Sequence, residues 1–162
     1  MKKISYFILI VSLLLSSAGC AGYKPIFSSS KIKFNISKYT LSGDKNLGNI
    51  IYSNLHSLTE INKNDPEAKN IYLTIDISKQ KNATSKDSAG KIIAYKINLQ
   101  TKVTISDFLT QKKLFEKNFN LSSTYKIQSQ YSETLKAENT ALENIINKTY
   151  EDLLISISEK NI

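Results

Sequence analysis

NIYLTIDISKQKNATSKDSAGKIIAYKINLQTKVTISD, residues 70–107, is the stretch that decides the fold. Ile71, Leu73, Ile75 and Ile77 alternate with Tyr72, Thr74, Asp76 and Ser78. After an interruption, Ile93, Tyr95, Ile97, Leu99, Thr101, Val103 and Ile105 resume the same alternation over more than a dozen residues. Side chains on a strand point to opposite faces with a period of two, so each run predicts a strand with one apolar face. The second strand is long. Between them, residues 79–91 are polar and read as a loop that carries Lys79, Lys81, Lys86 and Lys91 against Asp87 alone.

Working upstream, Ile32, Phe34 and Ile36 alternate with Lys33, Asn35 and Ser37, which gives a first strand. Ser42-Gly43-Asp44 offers a turn and a helix N-cap, and Leu47, Ile50, Ile51, Leu55 and Leu58 follow at spacings of three and four. This amphipathic helix ends before Pro66, because proline disfavours helical geometry in the residue before it. Downstream, after a loop near Asp107, Phe115, Phe119 and Leu121 give a fourth strand, with Lys117 on its apolar side marking a bulge or a sheet edge. Residues 122–131 are polar with scattered tyrosines. Ser132-Glu133 then caps a helix of about 25 residues lined by Ala141, Leu142, Ile145, Ile146, Thr149, Leu153 and Ile157. The order β-α-β-β-β-α predicts an α/β (α+β) two-layer sandwich: two helices on one face of a four-stranded mixed sheet, the other face meeting solvent or a partner.

The N-terminus has a different character. Lys2 and Lys3 precede an apolar run from Tyr6 to Leu15, broken only by Ser12, and the small residues Ser16, Ser17, Ala18 and Gly19. That is the order of a secretory leader, and the run is about half the length needed to span a bilayer. Ser17-Ala18-Gly19-Cys20 resembles a bacterial lipobox, with Ser17 where the pattern usually has Leu. Cys20 is the only cysteine, so no internal disulfide can use it, and lipid attachment explains its solitude. Residues 1–19 are thus expected to be removed, residues 20–30 to form a lipidated tether, and residues 31–162 to form one periplasmic domain. The lipid is diacylglycerol plus an N-acyl chain on Cys20, and no other cofactor is expected. Ala21 stands where an inner-membrane retention signal would have Asp, which favours the outer membrane.

The 143 residues that remain suffice for one core. They hold twenty lysines and no arginine against fourteen acids, a charge of +6 with His56 neutral. Export, and the lack of guanidinium forks for reading bases, argue against nucleic acid. Lysine point charges suit phosphates, which lipopolysaccharide supplies at an outer membrane, so Lys79, Lys81, Lys86 and Lys91 are candidate lipopolysaccharide contacts. His56 lies off the apolar stripe of the first helix and has no second histidine or cysteine with which to hold a metal. Glu151-Asp152 falls on the wet face of the last helix, and five glycines make no phosphate loop. Neither a catalytic set nor a metal site is expected.

Three segments resemble the lipopolysaccharide-assembly lipoproteins called LptE. Cys20-Ala21-Gly22-Tyr23-Lys24-Pro25-Ile26-Phe27 resembles the opening of that family, and Lys86-Asp87-Ser88-Ala89-Gly90 the turn between its central strands. Ser129-Gln130-Tyr131 with Ala137-Glu138-Asn139 resembles its C-terminal segment. The resemblance implies a protein at the outer membrane, on its periplasmic side or inside the lumen of the β-barrel LptD. There it would help LptD fold and plug it during lipopolysaccharide transport. One candidate contact surface is the polar register of the sheet, Tyr72, Thr74, Asp76 and Lys96. Two other readings stay open on the residues alone: an auxiliary lipoprotein of a lipid-transporting ABC system, and a periplasmic hydrolase of envelope polymers using His56 or a clustered acid.

Overall fold

A computed structural model describes residues 33–60 and 67–160. The leader, Cys20 and its lipobox, the tether, Ile32 and Pro66 lie outside the described residues. The elements run β1 (Phe34–Gly43), α1 (Lys45–Glu60), β2 (Lys69–Lys86), β3 (Ile92–Asp107), β4 (Lys113–Lys126) and α2 (Tyr131–Lys160). The strands lie side by side in chain order, with β1 parallel to β2 across the α1 crossover and the other two pairs antiparallel hairpins. This is the β-α-β-β-β-α mixed sheet that the alternation predicts.

The core forms where the odd-numbered register of the central strands meets the helices. Ile71, Leu73, Ile75 and Ile77 of β2 are buried together with Ile97, Leu99, Val103 and Ile105 of β3 and with Phe115 and Phe119 of β4. Helix α1 covers them with Leu47, Ile51 and Leu55, and α2 with Ala141, Ile145, Ile146, Leu153 and Ile157. Each large aliphatic side chain so buried contributes about 1.5–3 kcal/mol by leaving water.

Several boundaries differ from the sequence reading. Strand β1 runs through Ser42 and Gly43 instead of turning there, because it stays in parallel register with β2 as far as Ile77. Gly43 adopts φ +69, and a Cβ at that position would lie 1.9 Å from the Ile77 carbonyl oxygen, so only glycine lets the chain leave the strand at this point. Asp44 then caps α1, its Oδ1 accepting from the Leu47 amide at 3.2 Å. Ile50 is 45% exposed, and the buried stripe of α1 runs through Leu47, Gly48, Ile51, Leu55 and Thr59 instead.

Residues 79–91 are not a loop. Strand β2 continues to Lys86 and stays paired with β3, so only Asp87 to Lys91 turn. Asp87 Oδ1 accepts from the amides of Ala89 at 3.0 Å and Lys91 at 2.9 Å, and Gly90 supplies φ +80. A register shift between Ala83 and Ser85 disturbs the pairing just below the tip, and near it Ile93 is 43% exposed while Ala94 is buried.

Strand β4 likewise extends to Lys126 through the stretch that reads as polar, and it buries Tyr125. Lys117 does stand on an edge strand, where its ammonium donates to Ser156 Oγ at 2.6 Å. Helix α2 begins at Tyr131 and is 30 residues long. Its N-terminal turn is held by Thr134 Oγ1, which accepts from the Gln128 amide at 2.8 Å, and not by Ser132.

Candidate functional site

Two features stand apart from the core: the sheet face without helices, and the far half of the β2–β3 hairpin. On the open face, Tyr72, Thr74, Asp76 and Lys96 share the even register, as the alternation predicts. Cross-strand rows of polar side chains, Asp76–Lys102–Asn118 and Ser78–Gln100–Asn120, line a shallow depression of about 320 Å³. The Tyr72 hydroxyl sits 2.7 Å from Thr40 Oγ1. That hydrogen bond, helped by Thr74 and the Lys38 charge, holds the phenol below its usual pKa against a smaller opposing effect of desolvation. Glu116 lies 2.9 Å from Lys113 and 3.3 Å from Lys102, and hydrogen bonds to these two ammonium groups keep its carboxyl below the ordinary range. Such a face offers donors and acceptors in every row but no apolar anchor.

The hairpin separates the four candidate lysines. Lys79 reaches back to Asp44, with Nζ 3.3 Å from Oδ2. Lys81 contacts α2: its Nζ lies 2.6 Å from Glu138 Oε2, with the rings of Tyr95 and Tyr125 at 4.6 and 5.2 Å. The Tyr125 hydroxyl donates to the same Glu138 oxygen at 2.7 Å. Burial presses the Lys81 pKa down, but hydrogen bonds and charge from Glu138 and Tyr125 outweigh it and leave the ammonium above its usual value. Glu138 shows the converse, desolvation being outweighed by Lys81 and Tyr125 so that its carboxyl ends below its ordinary value. For Tyr125, burial together with the Glu138 charge raises the phenol. Lys86 and Lys91 flank the tip and are exposed.

Beside Tyr125, strand β4 and α2 enclose an open groove of about 540 Å³ lined by Ser123, Thr124, Gln128, Lys136 and Thr140. The sequence reading missed Tyr95, Tyr125 and Glu138 as partners of Lys81. Tyr125 keeps the odd register of Phe115, Phe119 and Leu121, which is the signal that finds it.

No family model matches the chain, and no curated protein does. Solved structures do. Rare lipoprotein B from Shewanella oneidensis superposes with a TM-score of 0.52 at 13% identity, over 75% of this chain and 94% of that one. An uncharacterised lipoprotein B from Nitrosomonas europaea gives a TM-score of 0.57 at 16% identity, over 84% and 91%. A minor lipoprotein from Acinetobacter baumannii gives 0.52 at 16% identity, over 78% and 93%. The chain shares its fold with bacterial lipoproteins. At these identities the likeness is one of fold, and it spans nearly the whole of each neighbour.

The residues weighed for catalysis stay apart. His56 packs its ring 5.4 Å from that of Tyr52. Asp152 pairs with Lys148 at 2.9 Å, one helical turn back, and Glu151 is exposed. Among the described residues, no group of three His, Cys, Asp or Glu side chains is placed to hold a metal, and no helix is long and apolar enough to cross a membrane.

Proposed function

We propose that the chain is an outer-membrane lipoprotein, anchored by diacylglycerol and an N-acyl chain on Cys20, whose domain works as the LptE family does. In this reading the domain sits in or against the LptD β-barrel, assists its folding and plugs its lumen while lipopolysaccharide passes to the outer leaflet. Its role is binding and assembly, not turnover.

The observation that carries the proposal is the uncovered sheet face. Four strands about 4.8 Å apart present a surface polar in every row, and the interior wall of a wide outer-membrane barrel is polar as well. Contacts between two such surfaces are hydrogen bonds that also exchange with water, which suits a plug beside a moving glycolipid. The lipobox and the resemblance of three segments to the LptE family support the same reading, as does the fold shared with bacterial lipoproteins. Within it, Lys86 and Lys91 at the hairpin tip are the lysines best placed to meet lipopolysaccharide phosphates, since Lys79 and Lys81 already hold carboxylates.

The test is affinity capture of the tagged, lipidated chain from detergent-solubilised outer membranes, with mass spectrometry of whatever copurifies near one-to-one. A large β-barrel is expected. Recovery of transporter subunits would replace the proposal with an auxiliary lipoprotein of an ABC system, and recovery of nothing stoichiometric would also overturn it.

A further inference from the structure

The turn between β3 and β4 holds a leucine in an unusual position. Leu109 is 85% exposed, on a short connection that is firmly built. Asp107 Oδ1 accepts from the amides of Leu109 at 3.1 Å and Thr110 at 2.7 Å and from the Thr110 hydroxyl at 2.8 Å. The Asp107 amide donates to the Lys112 carbonyl at 2.9 Å, and Gln111, at φ 58, closes the turn by donating from Nε2 to the Phe108 carbonyl at 2.8 Å. A non-glycine residue in the left-handed region is costly, so the turn keeps this shape only because its hydrogen bonds over-determine it. Its effect is to fix Leu109 pointing away from the body.

Single exposed apolar residues are common and mean little alone. The location of this one is what matters. The Phe108 amide donates to the Asn70 carbonyl and the Lys69 amide to the Lys33 carbonyl, both at 3.0 Å. The turn therefore stands beside the start of β2, and β2 starts beside the point where the chain comes in from Cys20. Two strand spacings, about 10 Å, separate the incoming chain from the turn. Twelve residues lie between Cys20 and Lys33, a reach of at most about 45 Å over the thirteen steps, so the anchor keeps this end of the domain near its bilayer without fixing its orientation. Lys69, Lys112 and Lys113 at this end of the sheet are exposed, Lys113 being paired with Glu116, and Asp107 stays a carboxylate whose charge the hydrogen bonds of the turn and Lys69 hold in place.

We propose that the β3–β4 turn is a lipid-contacting foot: Leu109 enters the boundary between headgroups and acyl chains of the bilayer that holds the lipid anchor, and Lys69 and Lys112 meet headgroup phosphates. An acyl anchor and a basic apolar tip are complementary membrane signals. With the foot down, the sheet stands off the membrane and the hairpin tip at Asp87–Gly90 lies about 50 Å away, the length of the 16-residue β3. The inference rests on lipid attachment at Cys20 and concerns the anchored chain before it enters a barrel, since a domain that fills a lumen no longer stands on this turn.

The test uses the full lipidated chain in vesicles of phosphatidylethanolamine and phosphatidylglycerol, with no barrel present. An environment-sensitive fluorophore is placed on Leu109→Cys, or on Ser88→Cys at the opposite end. The Leu109→Cys probe is expected to shift to the blue and to be quenched at least twofold by lipids spin-labelled near the top of the acyl chain, while the Ser88→Cys probe keeps solvent-like emission. Solvent-like emission at both sites overturns the foot. So does a blue shift at Leu109→Cys without lipid quenching, which assigns the cover to a second copy of the chain. The parent chain treated with the same label reports separately on the anchor, since its one thiol reacts only when Cys20 is unacylated.

Discussion

Lys81 and Glu138 lie 57 residues apart, yet the Lys81 ammonium and the Tyr125 hydroxyl both donate to one carboxylate oxygen of Glu138. The side chains are 38% and 22% exposed, so solvent screens the pair, and its net contribution is about 1 kcal/mol. The pH dependence follows from the direction of each shift. Glu138 has a depressed folded-state pKa, so its contribution is present above the ordinary value near 4.5 and is lost as pH falls through the folded value. Lys81 has a raised one, so its share is present throughout neutral pH and fades only as pH rises past the ordinary 10.5 toward the folded value. Glu138→Gln should thus lower unfolding free energy by about 1 kcal/mol at pH 7, and the deficit should shrink steadily as urea titrations are repeated from pH 5 down to pH 3. An equal deficit at every pH would assign the loss to packing. From the sequence, Lys81 was legible only as one basic residue among four, because a contact over that separation leaves no trace in local spacing.

At the scale of elements, the sequence tells best where burial and strand period coincide. The runs from Ile71 to Ile77 and Ile97 to Ile105 are buried on one face and were read correctly. The far half of β2 reads as a loop because its side chains are exposed and only Lys81 reaches a helix, through a charge, so apolar residues gain nothing there and the alternation disappears while the backbone ladder persists. The end of β4 is hidden from a sequence reading for another reason: Tyr125 is buried beside α2, but Ser122, Ser123 and Thr124 before it are polar on both faces and break the alternation. The two accounts of residues 79–86 differ in a measurable way. Strand β1 pairs with β2 only as far as Ile77, so beyond that residue β2 has a single neighbour, β3. In an antiparallel pair only alternate amides point to the neighbour. Amide exchange across residues 79–83, below the register shift, should therefore alternate between slow and fast, the slow sites being retarded by at least tenfold over the turn at Ser88. Uniformly fast exchange would restore the loop reading.

For the molecule as a whole, the proposed function raises the question of which surface would meet the barrel. The sequence predicted both layers and left the choice open, because polarity alone does not separate a solvated face from one that docks on a polar wall. A two-layer sandwich offers two continuous surfaces, the open sheet and the outer side of the helices. The row Ser78–Gln100–Asn120 crosses three strands in the middle of the open face. Replacing all three residues by tryptophan keeps strand-compatible side chains, touches no core position and adds bulk that would hold any flat partner away by several ångströms. Exposed positions of this kind change stability by about 0.5 kcal/mol or less each, so the variant should fold with a thermal midpoint close to that of the parent. If the sheet is the docking surface, capture of the β-barrel from outer membranes should fall at least tenfold in this variant. It should be unchanged when Glu143 and Glu151, both exposed on α2, are replaced by tryptophan instead. The reverse pattern would put the helices against the barrel wall and leave the polar sheet facing the lumen, where the side chains of Asp76, Lys102 and Asn118 would line the path of the glycolipid instead of contacting the wall.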